Sequence, residues 1–366
     1  MRPPWVFLVC LALAFQGIVF TAHGTELDKQ SAALWQSAAR EQAQLEAERP
    51  LLRNDKLEAY LDGVLKGLWR QASTHLPPMR LRIIGDPAEQ AFTYPNGVCY
   101  LTTGMLAYLQ CEDQLAMILA HEMAHYLGQH TLRAWDHLNT NPEEPLSAGW
   151  VERAATGTGS APDFYLSMEL EADARGLGWM ETAGYCPARV IPLLQSMTGG
   201  GPEAGGLAGH GANARLRALR RLIGAGISAP DCGGSDTRRL VYNSGIAPAL
   251  IFNTREAIQR GMWQRAGKDL ARYCEVCPVD AEILFIRGEL LRRGKVNSAT
   301  DEAIEAYQQA IGLDRNFAPA YRALGMMHYK QGRKNRAKSY FEHFLALSPN
   351  SPDRLFIRDY IRECTN

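Results

Sequence analysis

The sequence predicts a mostly helical α+β chain, in which a domain with one small β-sheet is followed by an array of helical hairpins. Three observations carry that expectation. One stretch, Met79 to Leu101, alternates in β fashion between long segments of helical periodicity. Hydrophobic residues make up 46% of the chain and charged residues 21%, enough apolar material for folded cores. Past residue 280, small and large apolar positions recur at the spacing of a helix-turn-helix unit of about 34 residues. A length of 366 residues fits two folded units.

The elements follow in order. Glu26 to Gln71 is polar and rich in Ala and Leu, with Leu57, Tyr60, Leu61, Val64, Leu65 and Leu68 at helical spacing. After Pro77-Pro78, short strands are expected at Met79 to Ile84, Ala91 to Tyr94 and Val98 to Leu101, the last two joined by Pro95-Asn96-Gly97. Leu106 to Gln129 is expected as one helix, with Glu112 and Asp113 near its start. Asn139 to Pro162, with three prolines, is expected to be mostly loop. Phe164 to Thr182 is a helix ended by Gly184, Gly199 to Gly211 a mobile glycine-rich connection, and Ala212 to Leu222 another helix. The domain boundary falls at Ala229 to Gly234. That gives a leader at 1–24, a first domain at 25–230 and a second at 231–366.

In the second part, Ala320-Tyr321 with Leu324, Gly325, Gly332, Ala337, Phe341, Phe344 and Pro349 matches the tetratricopeptide spacing. Leu284, Gly288, Leu291, Ala303, Tyr307 and Ala310 repeat it, with extra residues around Lys295 to Thr300, and a weaker half-repeat runs from Trp263 to Pro278. Such repeats present concave surfaces that bind peptides and partner proteins.

Charge and leader bound the compartment and partners. Lys plus Arg equals Asp plus Glu at 39 each, so no global field draws nucleic acid or an anionic membrane. Arg2, an apolar run from Trp5 to Phe20, and small residues at Ala22 and Gly24 form a secretory signal peptide with its cleavage site. The run is short of the ~20 apolar residues that a span needs, and Gln16 and Gly17 interrupt it. No other segment could cross a bilayer. Of eight cysteines, Cys10 leaves with the leader; the other seven are an odd set, from which disulfides are expected but no pairing follows. Cys274 and Cys277 lack a second CxxC or nearby histidines, so a local disulfide or unpaired thiols fits better than a metal site.

The chemistry lies in His121-Glu122-Met123-Ala124-His125. Two histidines four apart share one helical face and can ligate one ion. Zinc accepts neutral imidazole and acidifies a bound water, and Glu122 can take the proton from that water as it attacks a peptide carbonyl. A catalytic site wants a third protein ligand, and Glu169 and Asp173 share a face of the next helix while Glu171 points away. Glu169 can ligate while Asp173 fixes a histidine tautomer. Apolar neighbours Leu166, Leu170, Leu177 and Trp179 make unpartnered acids there costly.

Together, Asn96-Gly97, Tyr100 to Leu106, His121 to His125 and Glu169 to Asp173 resemble the gluzincin peptidases of the HtpX and CAAX-prenyl-protease type, over roughly residues 50 to 225. With a signal peptide ahead and repeats behind, the chain looks most like the BepA-type periplasmic proteases. The resemblance implies a gluzincin metalloprotease domain with one Zn2+ per chain on His121, His125 and Glu169, Glu122 as general base, and Asp173 beside the site. It implies that Val98 to Thr102 lines the cleft, where an extended substrate could add alongside an edge. It also points to His210, which could block the open metal position, and Arg215, although Gly211 stands where the family has proline and the spacing to arginine differs. The implied role is envelope protein quality control on misfolded or stalled outer-membrane proteins, with outer-membrane assembly machinery among the partners and chaperone activity beside proteolysis. The alternative is a tetratricopeptide adaptor or chaperone with a silent or structural metal site, which the intact Glu122 disfavours.

Overall fold

The computed structural model describes residues 26–72, 74–140, 162–198, 211–226, 235–294 and 299–365. The leader at 1–24, most of the Asn139 to Pro162 and Gly199 to Gly211 segments, His210 and the boundary at Ala229 to Gly234 lie outside them.

Two helices open the fold, α1 (Glu26–Glu48) and α2 (Asp55–Trp69), the second capped by Asn54, whose side chain accepts from the Leu57 N–H. Strands β1 (Arg80–Ile84), β2 (Ala91–Thr93) and β3 (Val98–Thr102) form one sheet in the order β1-β3-β2, with β1 parallel and β2 antiparallel to β3. Gly97, at φ 75, makes the turn between β2 and β3. The central strand is buried on both faces. Cys99 and Leu101 pack into the main core, whereas Val98 and Tyr100 join Leu34 of α1, Phe92 and Trp135 in a second cluster. The expectation that β3 offers an edge to substrate is therefore corrected: both its edges are paired, and β1 and β2 are the outer strands.

The single helix expected from Leu106 to Gln129 is two, α3 (Thr103–Tyr108) and α4 (Glu112–Leu127). The cause lies far along the chain. The Tyr242 hydroxyl donates to the Leu106 carbonyl at 2.6 Å, and the Arg272 guanidinium donates to the carbonyls of Ala107 and, at 2.9 Å, Leu109. These donors serve the carbonyls at the end of α3, and the cation suits the negative end of its dipole. In α4 every residue from Asp113 to Tyr126 is buried, so it runs through the middle of the domain. Gly128 ends it, and Gln129, left-handed at φ 52, turns the chain into α5 (His130–Thr140).

Helix α6 (Pro162–Thr182) stops before Gly184 at φ 84; a short 3₁₀ turn (Pro187–Arg189), α7 (Val190–Thr198) and α8 (Ala212–Gly226) follow. Then come α9 (Ser235–Gly245), α10 (Ala247–Gln259), α11 (Trp263–Val276), α12 (Ala281–Arg293), α13 (Ala299–Leu313), α14 (Ala318–Lys330), α15 (Lys334–Leu347) and α16 (Arg354–Thr365). α12 pairs with α13 and α14 with α15. The expected half-repeat is a whole hairpin, because α11 packs on α10. A Cβ on Gly288 would lie 2.4 Å from the Tyr307 ring, and one on Gly325 2.5 Å from the Phe341 ring, so the small-large spacing is a packing requirement. Tyr242, Ile246, Ala249 and Leu250, from α9, its C-terminal turn and α10, belong to the same core as α2 and α4.

Cys186 is disulfide-bonded, while Cys99, Cys111, Cys274, Cys277 and Cys364 are free. Of the two readings of the Cys274-Cys277 pair, unpaired thiols is the observed one. Among the described residues no helix is long and apolar enough to cross a membrane.

Candidate metal centre

The site forms where α4 and α6 lie side by side. Gly176 permits the approach: a Cβ there would be 3.0 Å from the His121 nitrogen and 3.1 Å from the Ala120 carbonyl carbon. From α4, His121 and His125 turn their Nε2 atoms to one point, 3.0 Å apart. From α6, Glu169 brings Oε2 to 3.4 Å from Nε2 of His121 and Oε1 to 3.3 Å from Nε2 of His125. The three side chains are buried, and one ligand atom from each lies within 4.8 Å of the others, a group that could hold a metal ion.

The charges fit a cation. Glu122, Glu169 and Asp173 are all buried beside the guanidinium of Arg215, so once His121 and His125 are neutral, as ligands must be, three carboxylates face one side-chain cation. Buried charge of that kind needs a counter-ion, and two imidazoles with a carboxylate are a zinc-type donor set.

Further polar side chains surround this group. Glu122 accepts from the Thr93 hydroxyl at 2.9 Å. Asp173 brings Oδ1 to 3.0 Å from Nδ1 of His121, a hydrogen-bond separation although the bond is poorly aligned. Arg215 grips Asp173 with both arms, Nε to Oδ2 at 2.8 Å and Nη2 to Oδ1 at 2.7 Å, and reaches Glu169 with Nη1 at 2.7 Å. Bidentate, desolvated pairing of this sort fixes both carboxylates. His130 places Nδ1 3.0 Å from Nδ1 of His125 and Nε2 3.4 Å from Glu171. Glu171 does point away from the histidine pair, toward Arg133 at 3.0 Å and Arg175 at 3.2 Å.

Titration follows these contacts. Burial is the largest influence and would raise the Glu169 and Asp173 carboxyls, but Arg215 and the neighbouring histidines together outweigh it and hold Asp173 below, and Glu169 well below, the ordinary range. Burial opposes charge on His121, yet Asp173 and Glu169 push it up to about 9 in the metal-free protein. His130 is pulled down to about 3, by burial and then by His125.

The structure thus brings together His121, Glu122, His125, Glu169, Asp173 and Arg215; His210 lies outside the described residues. It also explains the departure at Gly211. That residue has φ 72, which proline cannot adopt, and a Cβ there would meet Leu166 of α6 at 2.4 Å. Thr93, His130 and Gly176 escaped the sequence reading. The only signals are a histidine one turn past the motif and a glycine inside a helix.

Residues 55–141 match Peptidase family M48, and residues 298–332 and 318–351 match tetratricopeptide repeats. The mitochondrial metalloendopeptidase OMA1 of Schizosaccharomyces pombe is 30% identical over 145 residues, 38% of this chain and 43% of that one. The putative beta-barrel assembly-enhancing protease of Vibrio cholerae is 25% identical over 154 residues, 37% and 32% of the two chains. The beta-barrel assembly-enhancing protease of Escherichia coli K12 is 23% identical over 172 residues, 42% and 35%. The chain spans less than half the length of these relatives. The family match covers both histidines and Glu122, and the structure folds Glu169 onto them. Over residues 55–141 the chain is therefore similar to the metallopeptidases of family M48, the beta-barrel assembly-enhancing proteases among its relatives, and tetratricopeptide repeats follow.

Proposed function

We propose that the chain is a zinc-dependent endopeptidase of the bacterial envelope that acts in protein quality control. His121, His125 and Glu169 hold one zinc, and Glu122 is the general base. The observation that carries this is the convergence of two Nε2 atoms and one carboxylate within 4.8 Å, with an unligated carboxylate, Glu122, on the same helix. A site that served structure alone would have no use for Glu122.

When bound, zinc supplies Lewis-acid chemistry and lowers the pKa of a water to near neutrality. The remaining steps belong to the chain. Thr93 donates to Oε2 of Glu122 and so orients it, leaving Oε1 to take a proton from the attacking water and pass it to the leaving amine. Positioned proton transfer of this kind is worth roughly 10²–10⁴ in rate. Asp173 orients His121, and Arg215 fixes Asp173 and Glu169. β2 carries Thr93 at the sheet edge, so an extended peptide lying along β2 through main-chain hydrogen bonds would pass beside Glu122.

The envelope setting rests on the leader-like segment and on relatives named beta-barrel assembly-enhancing proteases. By the same likeness, the substrates are misfolded or stalled outer-membrane proteins, the compartment is the periplasm, and the repeats dock clients or assembly partners with accompanying chaperone activity. The division at residue 230 belongs to this reading.

The test is casein cleavage and zinc content of the chain from residue 25, wild type beside Glu122→Gln, with a chelator control. One zinc in both with chelator-sensitive cleavage only in the wild type is expected. Cleavage that survives Glu122→Gln contradicts the mechanism. Zinc in both with cleavage in neither favours the adaptor reading.

A further inference from the structure

We infer that His130 is a positioning residue for the metal centre, holding His125 in the tautomer that turns a free Nε2 toward the ion. The inference rests on the proposed metal site. Two ring nitrogens 3.0 Å apart attract only if one donates and the other accepts. Nε2 of His125 faces His121 and Glu169, so to ligate it must carry the lone pair. Its proton is then on Nδ1 and is donated to Nδ1 of His130. His130 in turn keeps its own proton on Nε2, 3.4 Å from Glu171. The two metal-facing histidines are thus oriented by different means, His121 by a carboxylate and His125 by a second imidazole.

The local fold is shaped for this contact. Gly128 ends α4, and Gln129 adopts φ 52, so the chain doubles back and sets the His130 ring edge-on to His125, at 90° with centroids 4.8 Å apart. A Cβ on Gly128 would lie 2.5 Å from Nε2 and 2.8 Å from Cδ2 of His130, so the ring reaches this place only because residue 128 has no side chain. His130 is 2% exposed, and its Nε2 has no well-aligned partner among the described residues. A buried polar atom without a strong partner is costly, and an apolar ring would fill the space more cheaply. The imidazole is explained by what its other nitrogen accepts.

The experiment measures zinc affinity by chelator competition on the chain from residue 25, together with the melting temperature of the metal-free protein. His130→Phe fills the space without an acceptor. His130→Asn places a carbonyl oxygen where Nδ1 stands. The expected result is an affinity lower by about 10–100-fold in His130→Phe and within about threefold of wild type in His130→Asn. The cobalt(II) absorption spectrum should change in the first variant alone. Equal affinity in wild type and His130→Phe, or an equal loss in both variants, overturns the inference while leaving the metal site intact. If the wild type binds no zinc, or His125→Ala binds as wild type does, the metal-site reading fails and this inference with it. Should His130→Phe not fold, His130→Gln carries its carbonyl one methylene too far; it is expected to bind zinc more weakly than His130→Asn, and equal binding overturns the proposal.

Discussion

Arg215 is among the largest completely buried side chains of the described residues, and it lies between two carboxylates of the site. Removing it strands both acids in the interior, so Arg215→Met should destabilise the metal-free protein by about 3–5 kcal/mol in urea unfolding. A loss below about 1 kcal/mol would mean that water reaches the pair. Thr93 makes a separable contribution. Thr93→Val should leave zinc content unchanged and lower kcat by roughly tenfold, the scale of one lost orienting hydrogen bond. Unchanged kcat would remove Thr93 from the mechanism. At this scale the sequence was legible where local periodicity decides: His121, Glu122 and His125 share a helix turn, and Glu169 and Asp173 another. Arg215 was reached only through family resemblance. Thr93 and His130 could not be reached, because their partners are set by the placement of β2 against α4 and by the turn at Gln129.

Among the elements, α6 is placed by a glycine. Gly176→Val should push α6 from α4 and lower zinc affinity by on the order of tenfold, through displacement of Glu169 and Asp173. Gly178, on the same helix with nothing near its missing Cβ, is the control. Gly178→Ala should leave zinc binding alone and stabilise by roughly 0.5–1 kcal/mol. Equal effects of the two would show that α6 is not held by close approach. In the repeats, Glu289 accepts from Arg292 at 2.6 Å and from the Tyr307 hydroxyl at 2.7 Å. Burial would raise its carboxyl, but Arg292 and Tyr307 hold it below the ordinary value of 4.5. A depressed carboxyl stabilises the fold fully above its unfolded pKa and ceases to do so as pH falls through the folded one. Glu289→Gln should therefore lower the melting temperature at neutral pH, and the gap should close in acid below 4.5. A gap constant with pH would contradict this. The strands and repeat helices were readable from alternation and from small-large spacing. The break between α3 and α4 was not, because Tyr242 and Arg272 lie more than 130 residues away.

For the whole molecule, the packing that makes that break also makes a shared core. Tyr242, Ile246, Ala249 and Leu250 follow the proposed division at 230 yet complete the core around α2 and α4. A chain ending at residue 230 should be poorly soluble or unfolded by circular dichroism, whereas one ending after α11 should fold and bind zinc. A folded, zinc-binding chain from 25 to 230 would show that the units are independent.

The most direct test of the central claim is diffraction at the zinc absorption edge from crystals of the intact wild-type chain. The account predicts one anomalous peak per chain, bonded to Nε2 of His121, Nε2 of His125 and the Glu169 carboxylate, with the remaining position open to water and Glu122 beside it unligated. A peak closed by a fourth protein side chain, or none at these three residues, would contradict it.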